Sequence, residues 1–352
     1  MTTRLDDFDG LLRWDALSEW IDAHDELLPG QGAVTSVRVL SGGTQNAIFL
    51  LDRRNGSFVL RRPPRHLRAN SNDTMQREAR VLAALATTDV PHPRLYAACA
   101  DPEVIGACFY AMEAIDGFST LGGLPPRYRD DAAWRNQLPF ELVDGAAKLA
   151  SVDPQAVGLS DFGRADGWLE RQASRWRRQL DDYSQLPGYG VPQIPGVDAV
   201  GAWLDEHRPA TCHIGIIHGD LQWANVMFAH DAPRLVAIID WELSTLGDPL
   251  LDLGWILQSM SEPDDPPGHA GTLQPGEGSP SRRELVDHYA EVSGRDVSDI
   301  DWFFVLACYK LGIILEGTWA RALAGHVPRE IGAQLHAYTL WLFAKARQLI
   351  GA

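Results

Sequence analysis

Cysteine is scarce in this chain of 352 residues: there are four, at positions 99, 108, 212 and 308, and no two form a C-x-x-C pair. That spacing excludes a zinc ribbon and a disulfide framework, and the apolar neighbours predict reduced, buried thiols. Basic charge is short as well, with 31 lysines and arginines against 47 acidic residues and a net charge of −16. Such a balance repels nucleic acid and anionic membranes, so no nucleic acid and no membrane is expected among the partners. A long apolar run is also missing. The longest, Trp302 to Leu315, is interrupted by Lys310 and is too short to span a bilayer as a helix. Met1 to Gly10 is polar and acidic and lacks the basic and apolar regions of a signal peptide. These readings together predict a cytoplasmic protein.

What is present is material for a core: 45% of the residues are hydrophobic and twelve are tryptophan. The chain divides into a β-rich part, 1–113, and a mainly helical part, 114–352. In the first, Asp15 to Leu28 reads as a leading helix stopped by Pro29-Gly30. Val34 to Leu40, Ala47 to Leu51 and Ser57 to Arg62 read as an antiparallel meander, followed by a helix over Thr74 to Ala86 and strands at Arg94 to Cys99 and Ala107 to Met112. In the second, periodic segments predict helices at Pro139 to Ala150, Asp166 to Tyr183 and Asp198 to His207. Strand-like runs follow at Ile214 to His218, Val226 to Ala229 and Leu235 to Asp240, and helices resume at Arg283. Glu262 to Arg282, rich in Pro, Gly and Asp, reads as a loop, either a surface insertion or a lid.

The informative residues are His218-Gly219-Asp220-Leu221-Gln222-Trp223-Ala224-Asn225 and Ile238-Ile239-Asp240-Trp241-Glu242. Phosphoryl transfer asks little covalent chemistry of a protein; it needs an acceptor hydroxyl positioned and Mg²⁺ held against a triphosphate. A loop aspartate, an asparagine five residues later and a second carboxylate at the end of the next strand supply those groups. Asp248-Pro249 is a helix start, and Asp252 follows one turn on.

The segment H-G-D-L-Q-W-A-N-V-M-F with I-D-W-E-L-S-T-L-G-D-P-L-L-D-L-G-W resembles the aminoglycoside phosphotransferase-like family, which shares its core with protein kinases. With F-V-L-R-R-P-P, it is most similar to the branch that includes kinase-like domains associated with acyl-CoA dehydrogenases. The resemblance implies an α+β, two-lobed protein-kinase-like fold with a small β-rich N-lobe and a larger mainly helical C-lobe. It implies ATP and Mg²⁺ as cofactors and a small-molecule hydroxyl acceptor, either a hydroxylated acid or acyl metabolite or an aminoglycoside. Asp220 would be the catalytic base, Asn225 and Asp240 the metal ligands, and His218 a brace of the loop. On the third strand, alternation puts Val59 and Arg61 on one face, Val59 to border the adenine and Arg61, in place of the family's usual lysine, to reach phosphate. Glu78 on the following helix would pair with Arg61. Gly42, Gly43 and Thr44 would lay amides over the phosphates, and Met112 and Glu113 stand where backbone groups would bind the adenine edge. A pseudokinase acting as an interaction module is the alternative, and retention of Asp220, Asn225 and Asp240 argues against it.

Overall fold

The computed structural model describes residue 8 and residues 10–40, 46–260, 262, 265 and 278–352. Two compact units emerge, one of residues 1–117 with 236–244 and one of residues 118–235 with 245–352.

The first unit opens with α1 (Trp14–Ala23), whose buried residues are Leu17 and Ile21. Strands β1 (Gln31–Val39), β2 (Ala47–Arg54) and β3 (Gly56–Arg62) follow, then α2 (Ser71–Leu85), β4 (Leu95–Cys99) and β5 (Phe109–Glu113). The five strands form one antiparallel sheet in the order β1-β2-β3-β5-β4. Alternation along β3 sorts its side chains. Phe58 and Leu60 join Phe49, Phe109, Leu17 and Ile21 in the core, which leaves Val59 and Arg61 on the opposite face. Arg62 points with the core face and is buried, donating to Ile105 O at 3.2 Å and to Leu11 O.

The second unit contains α3 (Pro126–Asp130), α4 (Ala132–Ala150), α5 (Gln172–Asp182) and α6 (Val197–Glu206). The short strands β6 (Gly215–Ile217) and β7 (Val226–Phe228) follow, and β8 (Leu235–Ile238) returns the chain to the first unit, where Ile238 N donates to Pro91 O at 2.8 Å. Strand β9 (Thr245–Gly247) pairs antiparallel with β6, after which come α7 (Leu250–Ser259), α8 (Arg282–Ser293), α9 (Ile300–Leu323) and α10 (Arg329–Ile350).

Three expectations need correction. Pro139, read as a helix start, lies inside α4, which begins seven residues earlier at Ala132 because Asp131 caps it, accepting from Ala133 N at 3.0 Å and Trp134 N at 3.2 Å. The short elements α3 and β9 were not anticipated. The apolar run at 302–315 is part of α9, a helix of 24 residues that is long and apolar enough to cross a bilayer, but 78% of its apolar window is buried inside the protein, which accounts for its composition. Of the segment read as a lid or surface insertion, only Glu262, Asp265 and the stretch from 278 lie within the described residues.

Close approach of α7 and α9 depends on Gly254, where a Cβ would come within 2.6 Å of Phe303 O. This packing brings Asp252, Trp255 and Lys310 under the loop that follows β6.

Candidate active site

In the second unit, the loop after β6 is held from below. Gly219 has φ 81°, a conformation that favours glycine, and this turn exposes two successive amides. Asp252, fully buried on α7, accepts both, His218 N at 2.7 Å and Gly219 N at 2.9 Å. Burial pushes the Asp252 carboxyl up to about 6, against the pull of those two amides and of Lys310. Asp248 ties the start of α7 to its surroundings, accepting from His213 N at 2.9 Å, Leu250 N at 3.1 Å and Arg295 Nη2 at 2.9 Å.

The Asp220 carboxylate then receives three side-chain donors: Gln222 Nε2 at 2.7 Å and Trp255 Nε1 at 2.8 Å on Oδ1, and Asn225 Nδ2 at 2.8 Å on Oδ2. Asn225 Nδ2 also donates to Asp220 O at 2.9 Å, so the amide nitrogen is committed to the loop and Oδ1 is the atom left to offer a metal. His218 is buried, and its Nδ1 accepts from Asp220 N at 3.3 Å, in keeping with a brace.

In the first unit, Arg61 and Glu78 are both buried and paired, with Arg61 Nε 2.9 Å from Glu78 Oε2 and Nη2 3.3 Å from Oε1. Arg61 Nη2 also reaches Asp240 Oδ1 at 2.6 Å. Burial opposes the Arg61 charge, but Tyr110, Glu78 and Asp240 more than offset it and carry its pKa above the ordinary arginine value. Burial pushes Glu78 up to about 7, against Arg61 and the hydrogen bond donated by Tyr110 Oη at 2.8 Å. Asp240 has φ 66° and ψ 67°, left-handed for a residue with a side chain, at a cost of about 1–2 kcal/mol. Its side chain is 38% exposed.

Glu78, Asp240 and Glu242 bring carboxylate oxygens within 4.8 Å of one another. Glu78 is held by Arg61 and Tyr110 and Asp240 by Arg61, and hard carboxylate oxygens of this kind suit Mg²⁺. Burial and the neighbouring Asp240 raise the Glu242 pKa, which marks crowded negative charge that a cation would relieve.

The remaining expected residues fall as follows. Val59 is buried on the Arg61 face of β3. Met112 pairs with Val59 across β3 and β5. Glu113 is tied to Arg94, its amide donating to Arg94 O at 2.9 Å and its carboxylate accepting from Arg94 N at 3.1 Å. Gly42, Gly43 and Thr44 lie outside the described residues. Sequence reasoning gave no role to Gln222, Trp255, Tyr110, Glu242 or Lys310. Glu242 stood two residues from Asp240, and Lys310 was visible as the single charge in an apolar run; nothing local marked Trp255 or Tyr110.

A β-sheet lobe with a buried cation–carboxylate pair and a helical lobe with an H-G-D-x-x-x-x-N loop define a phosphotransferase of protein-kinase-like fold. The chain belongs to the phosphotransferase enzyme family, whose pattern matches residues 36–285. It is 31% identical over 308 residues to acyl-CoA dehydrogenase family member 11 of Gallus gallus, covering 84% of this chain and 38% of that protein. The chain spans about two fifths of the length of the curated relatives it matches. A solved structure from Ralstonia eutropha, provisionally described as an aminoglycoside phosphotransferase, superposes with a TM-score of 0.76 at 30% identity, over 95% of this chain and 98% of that one. The GDP complex of aminoglycoside 2'-phosphotransferase-IIIa, at 15% identity and TM-score 0.59 over 88% and 93% of the two chains, shares the fold.

Proposed function

We propose that this protein transfers the γ-phosphate of ATP, with Mg²⁺, to a hydroxyl of a small hydroxylated acid or acyl compound. The observation that carries the reading is the Asp220 carboxylate, oriented by three neutral donors on a loop that Asp252 holds in place. A carboxylate so held can accept the proton of an attacking hydroxyl, a role worth about 10²- to 10⁴-fold in rate. Arg61, fixed by Glu78, offers its guanidinium to phosphate oxygens. Val59, Met112 and Glu113 border the adenine. Asn225 Oδ1 and the Asp240 carboxylate are the metal-ligating atoms, and the cation, when bound, neutralises charge on the triphosphate.

Two observations favour an acyl acceptor over an aminoglycoside. The curated relatives carry acyl-CoA dehydrogenase names. A polycationic acceptor also needs available carboxylates, yet Glu262, Asp265 and Glu316 of the helical lobe are engaged internally. Glu262 accepts from Arg282 N at 2.6 Å, and Asp265 pairs with Arg282 and, at 3.2 Å, with Lys345. Glu316 accepts from Tyr189 Oη at 2.8 Å and lies 2.7 Å from His336 Nδ1.

The test is ATP consumption by purified protein against a panel of hydroxylated acids, their acyl thioesters and aminoglycosides. The expected result is turnover with a hydroxy acid or hydroxyacyl compound and poor turnover, at high KM, with aminoglycosides. Salt-sensitive phosphorylation of an aminoglycoside at kcat/KM above about 10⁴ M⁻¹s⁻¹ would overturn the acceptor assignment.

A further inference from the structure

Lys310 sits midway along α9, a long apolar helix, and is only 7% exposed. Its Nζ donates to Gly219 O at 2.6 Å and lies 4.4 Å from the ring centroid of Trp255 and 5.6 Å from that of Trp176. Among the described residues no carboxylate reaches it within ion-pair distance. Burying an ammonium this way costs several kcal/mol, and an apolar side chain of the same volume would fill the space without that cost. Its contacts explain what the charge does. Gly219 is gripped on both sides, its amide by Asp252 and its carbonyl by Lys310. The Trp255 indole that faces the ammonium also donates its N–H to Asp220 Oδ1.

We propose that Lys310 is a positioning residue for Asp220: an ammonium held against two tryptophan rings that fixes the Gly219 carbonyl and places a positive charge behind the Asp220 carboxylate. The inference rests on the phosphotransferase reading of Asp220. The charged groups facing Lys310 are Asp220 on its loop, Asp252 on α7 and Arg175 on α5. Burial pushes the Lys310 pKa down to about 8, with Asp220 and Asp252 pulling it back up and Arg175 adding to the fall. The folded-state pKa lies below the ordinary lysine value, so the charge is present below about pH 8 and lost above it.

The experiment has a kinetic and a spectroscopic arm, both on the full chain. Lys310→Met keeps the volume and removes the charge. The expected result is a kcat lower by at least about tenfold, with Mg-ATP affinity within about threefold of wild type and thermal stability equal or higher. Wild-type kcat should decline above about pH 8, and the residual rate of the Met variant should be flat there. A purely packing role predicts wild-type kcat in the folded Met variant, which would overturn the proposal. In the second arm, ¹³C,¹⁵N-lysine NMR follows the Lys310 signal, recognised by its ring-current shift and its absence from Lys310→Met or Lys310→Arg. It should titrate near pH 8, and Asp220→Asn should lower that midpoint by removing a stabilising negative charge. A midpoint unmoved by Asp220→Asn would also overturn the proposal. A wild-type protein that phosphorylates no acceptor while its Lys310 midpoint still responds to Asp220→Asn would refute the kinase reading and uphold the coupling.

Discussion

The two candidate aspartates, one in each unit, are held by opposite means. Asp240 sits in a network of full charges: a guanidinium at 2.6 Å that also binds a buried glutamate, with a second glutamate close by. Asp220 accepts neutral N–H donors from an indole and two amides, and the Lys310 ammonium is bound to the carbonyl of the residue before it. Charged partners suit a group that must stay anionic and exchange one cation for another, such as a metal ligand. Neutral donors fix the orientation of a carboxylate, which suits a group that must take a proton at a defined atom.

Three substitutions test this contrast. The largest effect is expected for Asp220→Asn, which is nearly isosteric: turnover should fall by at least about two orders of magnitude while Mg-ATP affinity, measured by calorimetry on the same preparation, is kept. Near wild-type turnover would remove Asp220 from the chemistry. Asp240→Ala should show the complementary pattern, a folded protein whose Mg²⁺-dependent ATP affinity falls by at least about tenfold. If the metal-dependent affinity does not change, the distinction between the two aspartates is wrong. The smallest effect belongs to Trp255→Phe, which removes one of the three donors on Asp220 and preserves most of the packing. Steady-state kcat should drop by about threefold to tenfold, the worth of one hydrogen bond of about 1 kcal/mol. A drop as large as that of Asp220→Asn would mean that the donors act as one indivisible unit.

How much of this was legible in the sequence follows from where each contact is made. Asp220 and Asn225 are five apart and so legible in one window, while the pairing of Arg61 with Glu78, on a strand and the helix that follows it, came from the family resemblance. The strands of the first lobe were readable because β3 alternates cleanly between Phe58 and Leu60 on one side and Val59 and Arg61 on the other. Trp255 and Lys310 reach the Asp220 loop from 35 and 91 residues away. Their contact depends on how closely α7 and α9 pack at Gly254, a tertiary fact that no window of sequence contains. Pro139 misled for a related reason: proline favours a helix start, and the Asp131 cap outweighed that preference.

The left-handed backbone at Asp240 imposes a double selection on that position. Conformation favours glycine, asparagine and aspartate, the residues that enter φ near 66° at the lowest cost. Of these, glycine has no side-chain oxygen and asparagine no negative charge to set against Arg61. The set that the turn accepts and the set that the electrostatics accept overlap in one residue type. The identity of residue 240 is therefore specified twice, independently, and a substitution there that spares folding does not spare the charge network.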